Sequence, residues 1–239
     1  MDLEPHQVDI WRVQVNLSAR ARKAIESILS TEEAERAARF HFPADRDRYI
    51  TAHGCLRDIL ARYLRGEPAQ LSFVAGKHGK PSLATEEAID FNLSHSNDYA
   101  LIAIARGRRV GIDVERMRKG ISSFVIAQQY FSKAEVAELQ ALPIDERKVA
   151  FFTCWTRKEA YIKAQGLGLS LPLESFDVSL SPDEPAILRA TRPDFDEASR
   201  WILYSLEVDP GYKAAMAVEI NPPQDPDLDI HLWDWVFNH

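Results

Sequence analysis

A chain of 239 residues with 36 acidic and 29 basic side chains carries a net charge of −7, which argues against a nucleic-acid or anionic-membrane surface. Its 46% apolar and 27% charged residues are ordinary globular composition and exclude disorder as the main state. A chain of this length buries roughly 70–75% of its unfolded surface and needs no staple.

Val8–Val15 is rich in β-branched residues and predicts a first strand. Ser18 caps a short helix to Leu29, and Ser30 with Glu33 has capping-box spacing for a helix through Phe40. A longer helix is expected over Asp45–Leu64, ended by Gly66-Glu67-Pro68. Short strands follow at Leu71–Val74 and Ile89–Leu93, with a turn at Gly76–Pro81 between them and Ser94-His95 just after the second. Tyr99–Ala105 and Val110–Glu115 read as a hairpin turning at Arg106–Arg109. Helices are expected at Ser122–Tyr130, Ser132–Leu142 and Asp145–Gln165, then strands at Ser175–Ser179, Ala186–Ala190, Trp201–Glu207, Lys213–Glu219 and Asp229–Phe237. Pro-rich connections fall at Ser181–Pro185 and Asn221–Pro226, and no internal repeat is visible. Helices and strands intermingle without strict βαβ alternation, which favours an α+β fold.

Cys55 and Cys154 stand in no metal-type spacing, and Cys154 reads as a buried reduced thiol. Met1–Pro5 lacks the basic start and apolar run of a signal peptide, and Tyr99–Ala105 is too short to span a bilayer. A soluble, cytoplasmic protein is the expectation.

Three stretches draw attention together. In the helix around Trp155, the side chains of Trp155, Glu159 and Lys163 follow one another at four-residue steps, bordered by Phe152 and Ile162. Alone, Glu159 and Lys163 are a solvated i,i+4 pair. On an inward stripe, however, a carboxylate is costly unless a cation meets it. In Val110–Glu115, alternation puts Asp113 and Glu115 on one face and Ile112 and Val114 on the other. Two like charges at that spacing raise each other's pKa unless a cation lies between them. With Glu159 they make an all-oxygen set suited to Mg²⁺ or Mn²⁺, and magnesium completes its shell with water and substrate phosphates. Ser94, His95, Lys80 on the Gly79-Lys80-Pro81 turn, and Lys163 are candidate phosphate ligands. Taken singly they read as turn residues, a solvated lysine and a surface partner of Glu159. No Walker loop, dinucleotide fingerprint or nucleophile elbow is present.

Gly79-Lys80-Pro81, Phe91-Asn92-Leu93-Ser94-His95-Ser96, Gly111-Ile112-Asp113-Val114-Glu115 and Trp155-Thr156-Arg157-Lys158-Glu159-Ala160-Tyr161-Ile162-Lys163, in this order, resemble the Sfp-type 4′-phosphopantetheinyl transferases. The likeness runs from about Arg36 to Lys213, through Gly168–Leu173 and Val208–Lys213. It implies transfer of the phosphopantetheine arm of coenzyme A to a serine of an apo acyl or peptidyl carrier protein, releasing 3′,5′-ADP. It also implies a monomer of two similar α/β subdomains related by a pseudo-twofold, with coenzyme A between them. Residues 1–107 would bind the coenzyme A phosphates and residues 108–239 would carry the metal and catalytic residues. By position, Asp113, Glu115 and Glu159 would hold Mg²⁺ or Mn²⁺. Glu159, Lys163 and Asp113 would be catalytic, with Glu159 a candidate general base. Arg36, Lys80, Pro81, Ser94, His95 and Lys163 would contact coenzyme A. The carrier protein would meet the stretch near Ile121, Phe124 and Gln128, residues that also read as helix-packing core. Two other readings use the same residues: an Mg²⁺-dependent phosphohydrolase of coenzyme A or a nucleotide, and a carrier-protein binder without chemistry.

Overall fold

A computed structural model describes residues 1–118, 120, 123–181, 183–220 and 228–237. Strand β1 (Gln7–Gln14) leads to α1 (Ala19–Glu26), α2 (Thr31–Ala38) and the 22-residue helix α3 (Pro43–Leu64). A small hairpin of β2 (Phe73–Ala75) and β3 (Pro81–Leu83) precedes the long pair β4 (Ile89–Ser96) and β5 (Tyr99–Arg106). The order then recurs: β6 (Val110–Arg116), α4 (Ser123–Tyr130), α5 (Lys133–Ala141) and the 19-residue helix α6 (Arg147–Gln165). A small pair, β7 (Phe176–Val178) and β8 (Leu188–Thr191), and a long pair, β9 (Trp201–Leu206) and β10 (Tyr212–Glu219), complete the second round. Sheet order recurs with it: β1-β5-β4 in one sheet and β6-β10-β9 in the other, all antiparallel. The fold is α+β, two rounds of one pattern. Strand β11 (Asp229–Asp234) breaks the pattern by returning to the first sheet, parallel to β1.

The helix starts follow their sequence signals. Ser18 accepts the Ala21 N–H at the head of α1. Both capping boxes form, Ser30 with Glu33 on α2 and Ser132 with Glu135 on α5. These boxes occupy equivalent places in the two rounds, and each glutamate has a second task. Glu33 receives Arg57 of α3 at 2.6 Å, and Glu135 receives Lys158 of α6 at 2.8 Å. Arg57 then donates to the carbonyls of Pro68 and Leu71 beyond α3, while Lys158 donates to those of Leu173 and Phe176 beyond α6. Both cations also lie over an aromatic ring, Phe73 and Phe176 respectively. One device therefore ties each long helix to the helix before it and the chain after it.

Period-two alternation divides the core into layers. Trp11, Val13, Ile102 and Ile104 pack with α3, whereas Val8, Ile10, Leu101 and Ala103 turn to the second sheet. There they meet Val110, Ile112, Val114 and Met216, while Ala215 and Ala217 face the core around α6. On β6, this puts Gly111, Asp113 and Glu115 on the face opposite the inter-sheet core.

Three expectations are corrected. The hairpin partner of β5 is β4, joined by the tight turn at Asn97-Asp98; β5 and β6 belong to different sheets. Ser94 and His95 lie within β4, not after it. The strand near the C-terminus ends at Asp234, short of Phe237. Ile121 and the Asn221–Pro226 connection lie outside the described residues. No helix among the described residues is long and apolar enough to cross a membrane.

Edge strands β4 and β6 run side by side, joined by side chains. Asp90 Oδ2 accepts the Val110 N–H at 2.8 Å, and Asn92 Oδ1 accepts that of Ile112 at 2.8 Å. Ser94 Oγ accepts from Val114 at 3.3 Å, and Ser96 Oγ from Arg116 at 3.0 Å. Four polar side chains from one face of β4 thus satisfy four amides that an edge strand would leave open.

Candidate active site

The site is built where this seam meets α6. Gly111 makes the approach possible: a Cβ there would overlap the Ala160 carbonyl oxygen and the Ala164 amide nitrogen of α6. With the helix drawn in this far, Glu159 and Lys163 reach the acidic face of β6. Ser94, His95, Asp113, Glu115, Glu159 and Lys163 line one open cleft of about 340 Å³, with Trp155 beside them. A second hollow of about 300 Å³ shares Glu159 and Lys163 and adds Lys80, Pro81, Asn92 and Gly166. A third, of about 190 Å³, shares Glu115 and Trp155 and adds Ile126, Phe151 and Phe152 with the arginines Arg116 and Arg118. The three hollows adjoin through these shared residues.

Asp113 is 4% exposed and asymmetrically bound. Lys163 Nζ lies 2.6 Å from its Oδ1, which also accepts the Ser94 hydroxyl at 2.9 Å. Its Oδ2 is buried and has no hydrogen-bond partner among the described residues. Lys163 donates to Ser94 Oγ as well, at 3.0 Å, so its ammonium serves the β4–β6 seam. Burial raises the pKa of Glu159, and the nearby charge of Asp113 raises it further, against Lys163. Glu115 is raised by the same two causes, opposed by the hydrogen bond from Ser96. Three carboxylates therefore face one cleft, where Lys163 is already engaged by Asp113 and Arg118 lies near Glu115.

The basic candidates are distributed more widely. Lys80 lines the second hollow, but its ammonium is held by Asp90 Oδ2 at 2.6 Å and the Val110 carbonyl at 3.0 Å. Protein atoms crowded around His95 strip part of its hydration and, with His53, Lys163 and Arg48 near it, lower its pKa. Arg36 does not line these hollows; it is exposed on α2, its guanidinium 5.5 Å from the Tyr49 ring centroid. Tyr49 stacks on His53 at 4.0 Å. Phe124 of α4 packs partly against the α6 core, and Gln128 is exposed.

Asn92 and Ser96 stand in the motif around Ser94-His95 without a role assigned from sequence, and Asp90 lies just outside it. The signal available was the polar i, i+2, i+4, i+6 face of β4, which a sheet edge uses only if something polar lies opposite. Motif reading also left open the role of Lys158, Glu159's neighbour, which points to the opposite side of α6 and is fully buried.

A family model described as 4′-phosphopantetheinyl transferase superfamily matches residues 109–217, and one described as 4′-phosphopantetheinyl transferase, N-terminal, matches residues 17–106. The 4′-phosphopantetheinyl transferase HetI of Nostoc sp. is 37% identical over 89% of this chain and 87% of its own. The 4′-phosphopantetheinyl transferase Sfp of Bacillus subtilis is 32% identical over 87% of this chain and 91% of its own. The solved holo-[acyl-carrier-protein] synthase of Thermotoga maritima overlaps 46% of this chain and 62% of its own, at 20% identity and a TM-score of 0.37. The chain belongs to the 4′-phosphopantetheinyl transferase superfamily. The reaction of that family is transfer of the phosphopantetheine arm of coenzyme A to a carrier protein.

Proposed function

We propose that the three adjoining hollows are the reaction site, that transfer depends on Mg²⁺, and that Mn²⁺ can replace it. The carrying observation is the half-bound Asp113: one oxygen fixed by Lys163 and Ser94, the other buried, without a partner among the described residues and beside two further carboxylates whose pKa values are raised. As the side chains are placed, no three His, Cys, Asp or Glu among the described residues form a ligand cluster. The donor set nonetheless fits a hard, oxygen-ligated divalent ion that completes its shell with phosphate oxygens and water. Asp113, Glu115 and Glu159 would hold it. When bound, such an ion neutralises charge developing on phosphate oxygens.

The chain's own residues supply the rest. A carrier serine attacks the β-phosphorus of coenzyme A, and negative charge grows on the phosphates and on the leaving 3′,5′-ADP. Lys163, shared by the cleft and the second hollow, would meet that charge. Lys80, Ser94 and His95 line the same two hollows and would hold phosphate groups, Pro81 beside them would contact coenzyme A, and Arg36 would reach the phosphates from α2. Glu159 would take the serine proton, directly or through water. The half before residue 108 would thus bind coenzyme A, and the half after it would carry metal and catalysis, with β11 lent back to the first sheet. The carrier protein would dock along α4 near Phe124 and Gln128, where Ile126 lines the hollow that also holds Glu115, Arg116 and Arg118. A cytoplasmic monomer is the form proposed.

The test is intact mass spectrometry of an apo carrier protein incubated with this protein, coenzyme A and Mg²⁺. Gain of one phosphopantetheine unit, abolished by EDTA and by Glu159→Gln, is expected. Breakdown of coenzyme A without carrier modification would overturn the reading in favour of a hydrolase.

A further inference from the structure

The β4–β6 seam changes chemistry along its length. At its start, Asp90 and Asn92 supply acceptors to the Val110 and Ile112 amides, and Gly111 contributes no side chain that could be repelled. Farther along, the residues of β6 beside the seam are Asp113 and Glu115, and the β4 residues there are Ser94 and Ser96. An acceptor alone would close the seam. Next to a carboxylate, a hydroxyl does more, because it accepts from an amide and donates to the acid at once.

Ser96 shows this arrangement free of other ligands of the cleft. Its oxygen accepts the Arg116 N–H at 3.0 Å, and its single proton goes to Glu115 Oε2 at 3.0 Å. The side chain is 5% exposed, so water competes little for either bond. The Arg116 amide fixes the oxygen, the oxygen fixes the donor direction, and the donor holds one oxygen of Glu115. We infer that Ser96 is a positioning residue, which aims the Glu115 carboxylate into the cleft for a divalent cation shared with Asp113 and Glu159. This rests on the metal reading above. Side chains that orient metal-binding carboxylates through hydrogen bonds typically change metal affinity 10–100-fold when removed.

The experiment measures Mn²⁺ binding to the full chain with coenzyme A present, by the electron paramagnetic resonance signal of unbound Mn²⁺. Ser96→Ala should weaken Mn²⁺ binding by about tenfold or more. Coenzyme A binding measured in EDTA should be unchanged, and Ser96→Thr should restore Mn²⁺ affinity. The Mg²⁺ concentration giving half-maximal transfer should rise in Ser96→Ala and return in Ser96→Thr. Should Ser96→Ala not fold, Ser96→Cys keeps the shape with a weaker donor and should show an intermediate loss. Unchanged Mn²⁺ affinity without the hydroxyl overturns the inference, as does an equal loss in Ser96→Thr or an equal loss of coenzyme A binding in EDTA. If the unmodified chain binds no Mn²⁺, the metal reading falls and this inference with it; if it binds and Ser96→Ala binds equally, only the inference falls.

Discussion

Lys163 Nζ lies 2.6 Å from Asp113 Oδ1, while Oδ2 of the same carboxylate is buried without a partner among the described residues. A lysine on α6 thereby holds one oxygen of an acid on β6, and the proposed metal would take the other. Removing the acid's charge should cost catalysis rather than folding. Asp113→Ala and Glu159→Gln should each lower the transfer rate by roughly 10²–10³-fold or more, the scale for losing one preorganised electrostatic contact at a reacting group. Circular dichroism should be unaltered. Near-normal turnover of either variant in a mass-spectrometric time course would remove these residues from the site.

Metal removal tests the same cleft without mutation. Dialysis against EDTA should abolish transfer, and Mg²⁺ or Mn²⁺ should restore it, because the donors are all oxygen. Transfer that persists at full rate after chelation would show that Lys163 and its basic neighbours suffice.

The parts of this site legible in the sequence are those where local pattern decides position. Alternation placed Asp113 and Glu115 on one face of β6, and helical spacing lined up Trp155, Glu159 and Lys163. Capping-box spacing located α2 and α5. Strand partners were a different matter. Strand β5 has a short turn on either side, and period two is the same whichever neighbour pairs with it, so the β4–β5 hairpin was misassigned to β5 and β6. The recurrence of β1-α1-α2-α3-β4-β5 as β6-α4-α5-α6-β9-β10 was equally hidden. It lies in topology and in the Glu33–Arg57 and Glu135–Lys158 ties, whose cations differ in kind. Lys163 could not be assigned its partner either: spacing offers Glu159, whereas the fold brings Asp113 and Ser94 to its ammonium.

Gly111 sets the distance between β6 and α6. A methyl group there meets backbone of Ala160 and Ala164, which cannot swing aside as a side chain would. Gly111→Ala should push the helix out, separating Glu159 and Lys163 from Asp113, at a cost of about 1–3 kcal/mol in stability, typical of overpacking. Transfer should fall far more than that loss explains, when measured at a temperature where the variant is fully folded. Retained activity in a folded Gly111→Ala chain would mean that the site tolerates a looser helix.

Lys158 and Glu159 are neighbours with separate duties. Lys158 is fully buried, paired with Glu135 at 2.8 Å and bonded to two carbonyls. Replacing it with Met strands the Glu135 charge in the core, a loss of about 3–5 kcal/mol for a broken buried pair. A melting temperature lower by roughly 10 °C is expected for a chain of this size. Adding Glu135→Gln, which still caps α5, should recover part of the loss. A double variant no more stable than Lys158→Met would show that the lysine's bonds to Leu173 and Phe176, not its pairing, carry the effect.

The matching tie in the first half makes stability depend on pH. Burial pushes the Glu33 carboxyl up, but the His53 ring 3.8 Å away and the hydrogen bonds from Arg57 and the Ser30 amide outweigh it and hold the pKa down to about 2, against 4.5 for a free glutamate. A pKa lower in the folded chain than in the unfolded one stabilises fully above the unfolded value and is lost as pH falls through the folded one. The contribution is on the order of 3 kcal/mol near neutrality, declining between about pH 5 and pH 2. Glu33→Gln lacks this charge at every pH. Urea unfolding should therefore find the variant less stable at pH 7, with the gap closing as the two chains are acidified together. A gap that stays constant down to pH 2 would assign the loss to α2 capping geometry instead of to the ionised tie with Arg57.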